Sequence, residues 1–165
     1  MSTTTTTKDG TTTIVAVDDM PAITITRAFT ATPEQLVRAH TDRDVFVQWV
    51  GPNGMNIEID YWDARTGGSW RYVDHEDGED YGFHGCFHTV REDRLVQTFT
   101  FEGFPDSVAL ETMWFEDLGE GRTRLHVRSL FDSYEARDGM LASGMDVGVN
   151  DGYAKLDGLL ASGKL

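Results

Sequence analysis

SYEARDGMLASGMDVGVNDGYAKLDGLL, Ser133 to Leu160, is the stretch on which the fold turns. Leu141, Met145, Val149, Tyr153, Leu156 and Leu160 recur every three to four residues, the period of a helix with one apolar face. Ser133 stands where an N-cap belongs. The spacing predicts a single helix of about 25 residues. Nothing earlier in the chain has so long a helical period. A sheet formed by the preceding residues therefore has only this element with which to cover its apolar face.

Working back from it, the middle of the chain reads as short strands near Asn56–Asp63, Ser69–Asp74, Tyr81–Val90, Arg94–Phe101, Ala109–Leu118 and Arg122–Phe131. Thr66-Gly67-Gly68, Asp77-Gly78, Glu92-Asp93 and Gly119-Glu120-Gly121 supply the turns. These connections are too short for crossover helices, so the strands run antiparallel. Farther back, Ile23, Ile25, Arg27 and Phe29 alternate with Thr24, Thr26 and Ala28, which predicts a first strand. Thr32-Pro33-Glu34-Gln35 then combines an N-cap, a proline at the first helical position and a capping-box partner. Two short helices follow, divided near Thr41-Asp42 and ended by Gly51-Pro52-Asn53-Gly54. The expected fold is α+β: a curved antiparallel sheet of about seven strands wrapped round a long C-terminal helix, with two short helices after the first strand.

Composition narrows what such a domain does. The 165 residues suit one domain, expected over 14–165 behind a disordered Thr-rich leader, 1–13, in which eight residues are threonine. There are 14 basic and 28 acidic residues, a net charge of −14. That balance argues against a nucleic-acid binder and against docking on anionic membranes. Cys86 is the lone cysteine, so no internal disulfide and no multi-cysteine zinc site is expected. The start lacks the basic and apolar segments of a secretory signal, and no run approaches about 20 apolar residues. A cytoplasmic protein, monomer or homodimer, is the expectation.

Several stretches together resemble one family: ITRAFTATPEQLVRAHTD (Ile25–Asp42), QWVGP (Gln48–Pro52), DARTGGSWRY (Asp63–Tyr72), GFHGCF (Gly82–Phe87), DRLVQTFTF (Asp93–Phe101), GRTRLHVR (Gly121–Arg128) and the helical stretch quoted first. Their order resembles the START/Bet v1-like (SRPBCC) superfamily, and within it bacterial proteins similar to the C-terminal domain of the activator of Hsp90 ATPase. The resemblance implies a helix-grip fold with a cavity for apolar ligands between sheet and helix. Some relatives in the superfamily cyclise polyketides and some sequester toxic metabolites. Two positions depart from the family pattern. Val50 stands where a second tryptophan often precedes Gly-Pro, and Val149 stands where tryptophan often follows a helix glycine. Both departures remove bulk, which implies a roomier cavity if those positions face it.

Strand parity proposes the lining. Glu111, Met113 and Phe115 share a face, as do Leu95, Gln97, Phe99 and Phe101, and Tyr81, Phe83, Gly85 and Phe87. With Trp49, Trp70 and Tyr72, and with Met145, Gly148, Val149 and Tyr153 from the helix, these give a candidate apolar pocket in which Gln97 and Glu111 are the polar exceptions. Glu111 is the one candidate catalytic group, since an inward carboxyl has a raised pKa unless it is paired. Gly144, Gly148 and Gly152 fall four apart, which either leaves room for a ligand or lets the helix pack closely.

No metal or cofactor is expected. His84 and His88 lie four apart on a strand, about 13 Å end to end and too far to share an ion. The acidic run Asp74–Asp80 fits a solvated hairpin tip better than a calcium loop. Three functions stay open: a binder of a small hydrophobic molecule, a cyclase or dehydratase using the same cavity, and a protein-interaction module.

Overall fold

The computed structural model describes residues 2–6 and 11–165, with side chains from 11 onward. The strands are β1 (Ser2–Thr6), β2 (Thr11–Ala16), β3 (Ala22–Phe29), β4 (Ile57–Trp62), β5 (Ser69–Glu76), β6 (Glu79–Val90), β7 (Arg94–Phe101), β8 (Ala109–Gly119) and β9 (Arg122–Leu130). The helices are α1 (Pro33–Thr41), α2 (Arg43–Trp49), α3 (Tyr134–Ala142) and α4 (Met145–Ala161). All the strands form one antiparallel sheet in the order β1-β2-β3-β9-β8-β7-β6-β5-β4. The chain leaves the sheet after β3, builds α1 and α2, returns at the far edge as β4, and meanders back until β9 pairs with β3. The expected α+β architecture holds.

Two expectations change. Among the described residues the sheet has nine strands, because β1 and β2 occupy much of the expected leader. Threonine is β-branched and suits a pleated surface, so a Thr-rich stretch can pair without being strongly apolar. Thr12 and Ile14 are buried, and β2 runs beside β3 with Ile14 opposite Ile25. Met1 and residues 7–10 of the expected leader lie outside the described residues. The second change is at the C-terminus. The apolar stripe predicted one helix, but the chain breaks between α3 and α4 at Gly144, whose φ is +83°. That left-handed conformation is open to glycine at little cost and disfavoured for side chains. It lets the stripe continue in phase across the break, which is why periodicity alone reads as one element.

Local chemistry fixes the other helix ends. The Thr32 hydroxyl accepts from the Gln35 N–H at 3.2 Å, and the Gln35 side chain accepts from the Thr32 N–H at 2.8 Å, completing the capping box. Ser133 caps α3 through the Ala136 N–H. Arg137 in α3 donates to the carbonyl of Val17 at 2.7 Å, tying this helix to the β2–β3 turn.

The interior divides into two apolar clusters. The larger joins β2, β3 and β7–β9 to α1, α2 and α4, and includes Phe29, Leu36, Trp49, Leu95, Met113, Phe115, Leu125, Tyr153 and Leu156. The smaller centres on Trp70, Tyr72 and Phe87 at the β4–β6 end. Phe46, Val90 and Phe99 touch both.

Candidate functional site

The inner face of the sheet carries a polar rung between those clusters. Cross-strand register aligns Phe87, Gln97, Glu111 and Ser129 on β6, β7, β8 and β9. Gln97 Nε2 donates to one Glu111 oxygen at 2.9 Å, and Ser129 Oγ donates to the other at 3.2 Å. Burial pushes the Glu111 carboxyl above its ordinary range, and the two donated hydrogen bonds offset part of that rise. The Tyr72 and Tyr153 phenols look toward the same region. Burial raises both well above the usual phenol range, and the charge of Glu111 adds to it. Neither hydroxyl has a protein partner among the described residues.

Exposure along the inner face is graded. Leu95, Met113 and Phe115 on β7 and β8 are shut off from solvent, whereas Gln97, Phe99 and Glu111, farther along the same strands, and Phe83 on β6 are half-buried. On the helical side Tyr153 and Leu156 are buried, but Met145 and Val149, two turns and one turn before Tyr153, are half-buried. The wall is therefore closed to solvent at one end and partly exposed, or open, at the other.

Aromatic rings build that open end. Trp70 stacks on Tyr72 with centroids 5.4 Å apart, and Tyr72 on Phe83 at 5.2 Å. The Trp70 indole fits because its neighbour on β6 is Gly85: a Cβ there would stand 2.7 Å from Trp70 Cζ2 and would collide with the Thr98 carbonyl. The Trp70 N–H, buried with its residue 2% exposed, has no acceptor among the described residues. An unpaired buried donor of this kind costs about 1–3 kcal/mol. Trp49 differs, since its indole donates to the Ala39 carbonyl at 2.9 Å. His40, beside it, is a core histidine that donates to the Leu36 carbonyl; burial lowers its pKa to about 4, so it is neutral.

Most of the sequence-derived candidates thus meet on one wall. Trp70, Tyr72, Phe83, Phe87, Gln97, Phe99 and Glu111 surround its open end. Trp49, Met113, Phe115 and Tyr153 belong to the packed core behind it. Gly148 does not face the sheet: a Cβ there would lie 3.4 Å from Pro52 Cδ. Gly152 is packed likewise against the Trp49 carbonyl at 3.0 Å. The small side chains let α4 approach the segment after α2, and the space they leave is filled by the chain itself.

One buried group was not picked out from the sequence. Arg27 donates Nη1 to Asp157 Oδ1 at 2.6 Å and Nη2 to the other oxygen, joining β3 to α4. Its guanidinium lies 4.4 Å from the Phe29 ring centroid. The alternation that puts Ile23, Ile25 and Phe29 inside puts Arg27 there too, so the signal was present.

The outer face is grooved. A groove of about 640 Å³ lies over β4–β7, lined by Glu58, Asp60, Arg71, His75, Asp80 and Glu102 among others. Arg71 bridges Glu102 and Asp60, and its hydrogen bonds to Glu102 hold that carboxyl down at about 2. Cys86 is exposed, and no cluster of three potential metal ligands occurs among the described residues. No described helix is long and apolar enough to cross a membrane.

Glu111→Gln is expected to stabilise the protein at neutral pH. A glutamine can accept from Gln97 and donate to the Ser129 hydroxyl, so the rung stays satisfied. In the native state the carboxyl keeps its proton above the ordinary value of 4.5, so the unfolded chain releases its proton first and stability falls as pH rises through that window. The variant escapes that loss. Its gain, about 1 kcal/mol or a few degrees of Tm, should be present at pH 8 and absent at pH 4. Thermal melts at both values check this, and an equal difference at the two would refute it.

No curated protein matches the chain by sequence. Among solved structures it resembles a Rhodobacter sphaeroides protein at 27% identity and a TM-score of 0.80, covering 90% of this chain and 97% of that one. Protein Ms6760 of Mycobacterium smegmatis is similar at 24% identity and a TM-score of 0.79, covering 89% and 94%. An Hsp90 activator of Plasmodium falciparum is similar at 18% identity and a TM-score of 0.63, covering 85% and 96%. The fold is thus the helix grip of the Bet v1-like proteins. Residues 30–161, which hold the two helices after β3, the meander and α4, match one family along their length, and the chain belongs to the Activator of Hsp90 ATPase homolog 1-like family.

Proposed function

We propose that the chain binds a small, largely apolar molecule between the inner wall of the sheet and α4. The observation that carries this reading is the open aromatic end of the wall, where Phe83 and Phe99 are half-buried beside the unpaired N–H of Trp70. Apolar rings with a few polar groups among them are the usual make-up of a small-molecule site. A ligand carbonyl or hydroxyl would satisfy the indole. Catalysis by Glu111 is the weaker reading, because its partners are an amide and a hydroxyl and no tyrosine donates to it. An Hsp90-activating role rests on likeness to the Plasmodium protein, and at 18% identity that likeness carries the fold alone. The free, exposed thiol of Cys86 suits a reducing compartment such as the cytoplasm, where the protein would act as monomer or homodimer.

Native mass spectrometry of the purified protein, with titration of an uncharged naphthylamine dye, tests the reading. A co-purifying small molecule, or saturable dye uptake at one site, is the expected result. Absence of both would overturn it.

A further inference from the structure

The outer face of β7–β9 has an unusual charge state for so acidic a chain. Among the described residues, Arg38, Arg43, Arg65, Arg71, Arg91, Arg124 and Arg137 each have a carboxylate within ion-pair reach, as does buried Arg27. Arg94, Arg122 and Arg128 have none, although acids outnumber bases two to one. All three lie on this one face. Register places Arg94 directly across from Trp114, and Trp114 across from His126. The guanidinium carbons of Arg94 and Arg128 lie 5.2 Å and 5.5 Å from the Trp114 ring centroid. Arg128 Nε is buried without an acceptor. A groove of about 490 Å³ runs here, lined by residues that include Thr24, Thr26, Trp114, His126 and Arg128, with Arg94 and Arg122 on the same face outside it.

We propose that this groove docks an extended acidic segment of a partner protein. Arg122, Arg124, His126 and Arg128 are alternate residues of β9 and so project about 7 Å apart. Carboxylates at alternate positions of an extended peptide have that same spacing. Glu116 already engages Arg124 and His126, so the open cations are Arg122 and Arg128 along the strand and Arg94 across it. An apolar side chain between the acids would rest on Trp114. A long polyanion would meet the repulsion of the chain's net charge of −14, whereas a short segment feels chiefly the local arginines, because screening limits the range to about 8–10 Å.

Calorimetric titration of the whole protein with a short peptide alternating glutamate and alanine tests this. Binding is expected that weakens with salt and falls at least 10-fold in Arg94→Glu with Arg128→Glu, with Tm little changed. If that pair fails to fold, Arg94→Gln with Arg128→Gln is read instead, and the same direction of change is expected. Arg38→Glu with Arg65→Glu alters net charge equally at distant exposed sites and should leave binding within about twofold. The proposal is overturned if the peptide does not bind, if the control pair weakens it as much, or if single-stranded DNA or anionic vesicles bind more tightly.

Discussion

Asp157→Asn is expected to lower Tm by roughly 6–20 °C. Arg27 is buried, and Asp157 holds it through two hydrogen bonds. Replacing the carboxylate by an amide leaves a buried guanidinium without its counter-charge, a loss of about 3–5 kcal/mol. At this chain length each kcal/mol moves Tm by about 2–4 °C. The paired replacement Arg27→Met with Asp157→Leu removes both charges and should recover most of the loss, since a buried ion pair is often no better than apolar residues of similar volume. Calorimetric melts of both variants decide the matter. If Asp157→Asn melts within about 2 °C of the parent, this pair does not anchor α4 to β3.

Val149→Trp is expected to reduce uptake of the apolar dye at least 10-fold while the protein stays folded. Val149 is half-buried, one turn before buried Tyr153 on the same face of α4, and packs at the margin of the larger cluster. The position lies at the margin of the core rather than inside it, so the scaffold can hold a tryptophan there. Its ring would occupy the open end of the wall. Packing an indole into a fully closed core would instead cost about 1–3 kcal/mol. A folded Val149→Trp protein with unchanged dye uptake would place the ligand elsewhere.

Much of this was legible in the residues, for stated reasons. Period-two alternation marks a strand and its inward face together, so the meander from Ile57 to Leu130 and the aromatic wall came from one reading. Turn residues bounded the strands because positive φ and tight reversals restrict composition. Three features were hidden. Half of β2 is threonine, which pairs well yet registers as polar. The break at Gly144 keeps the apolar stripe in phase. The polar rung through Glu111 depends on which residue of β7 and of β9 stands opposite, and one sequence does not fix register across strands. Arg27 is a different kind of miss: its inward position was readable, but its partner lies 130 residues away.

The pairing of β3 with β9 bears on how the chain comes to be folded. Strands β4–β9 can join in sequence order, each to its predecessor, through short turns. β3 has no such neighbour ahead of it, and its long-term partner is the last strand made. During synthesis β3 therefore waits for about 100 residues, or roughly 5–20 s at ribosomal rates, with Ile23, Ile25 and Phe29 uncovered on one face and only β2 alongside. Closing so long a loop carries an entropic cost that is expected to slow folding. In that interval the nascent chain is at its most vulnerable to aggregation, and the alternate threonines of β3 keep its other face wettable.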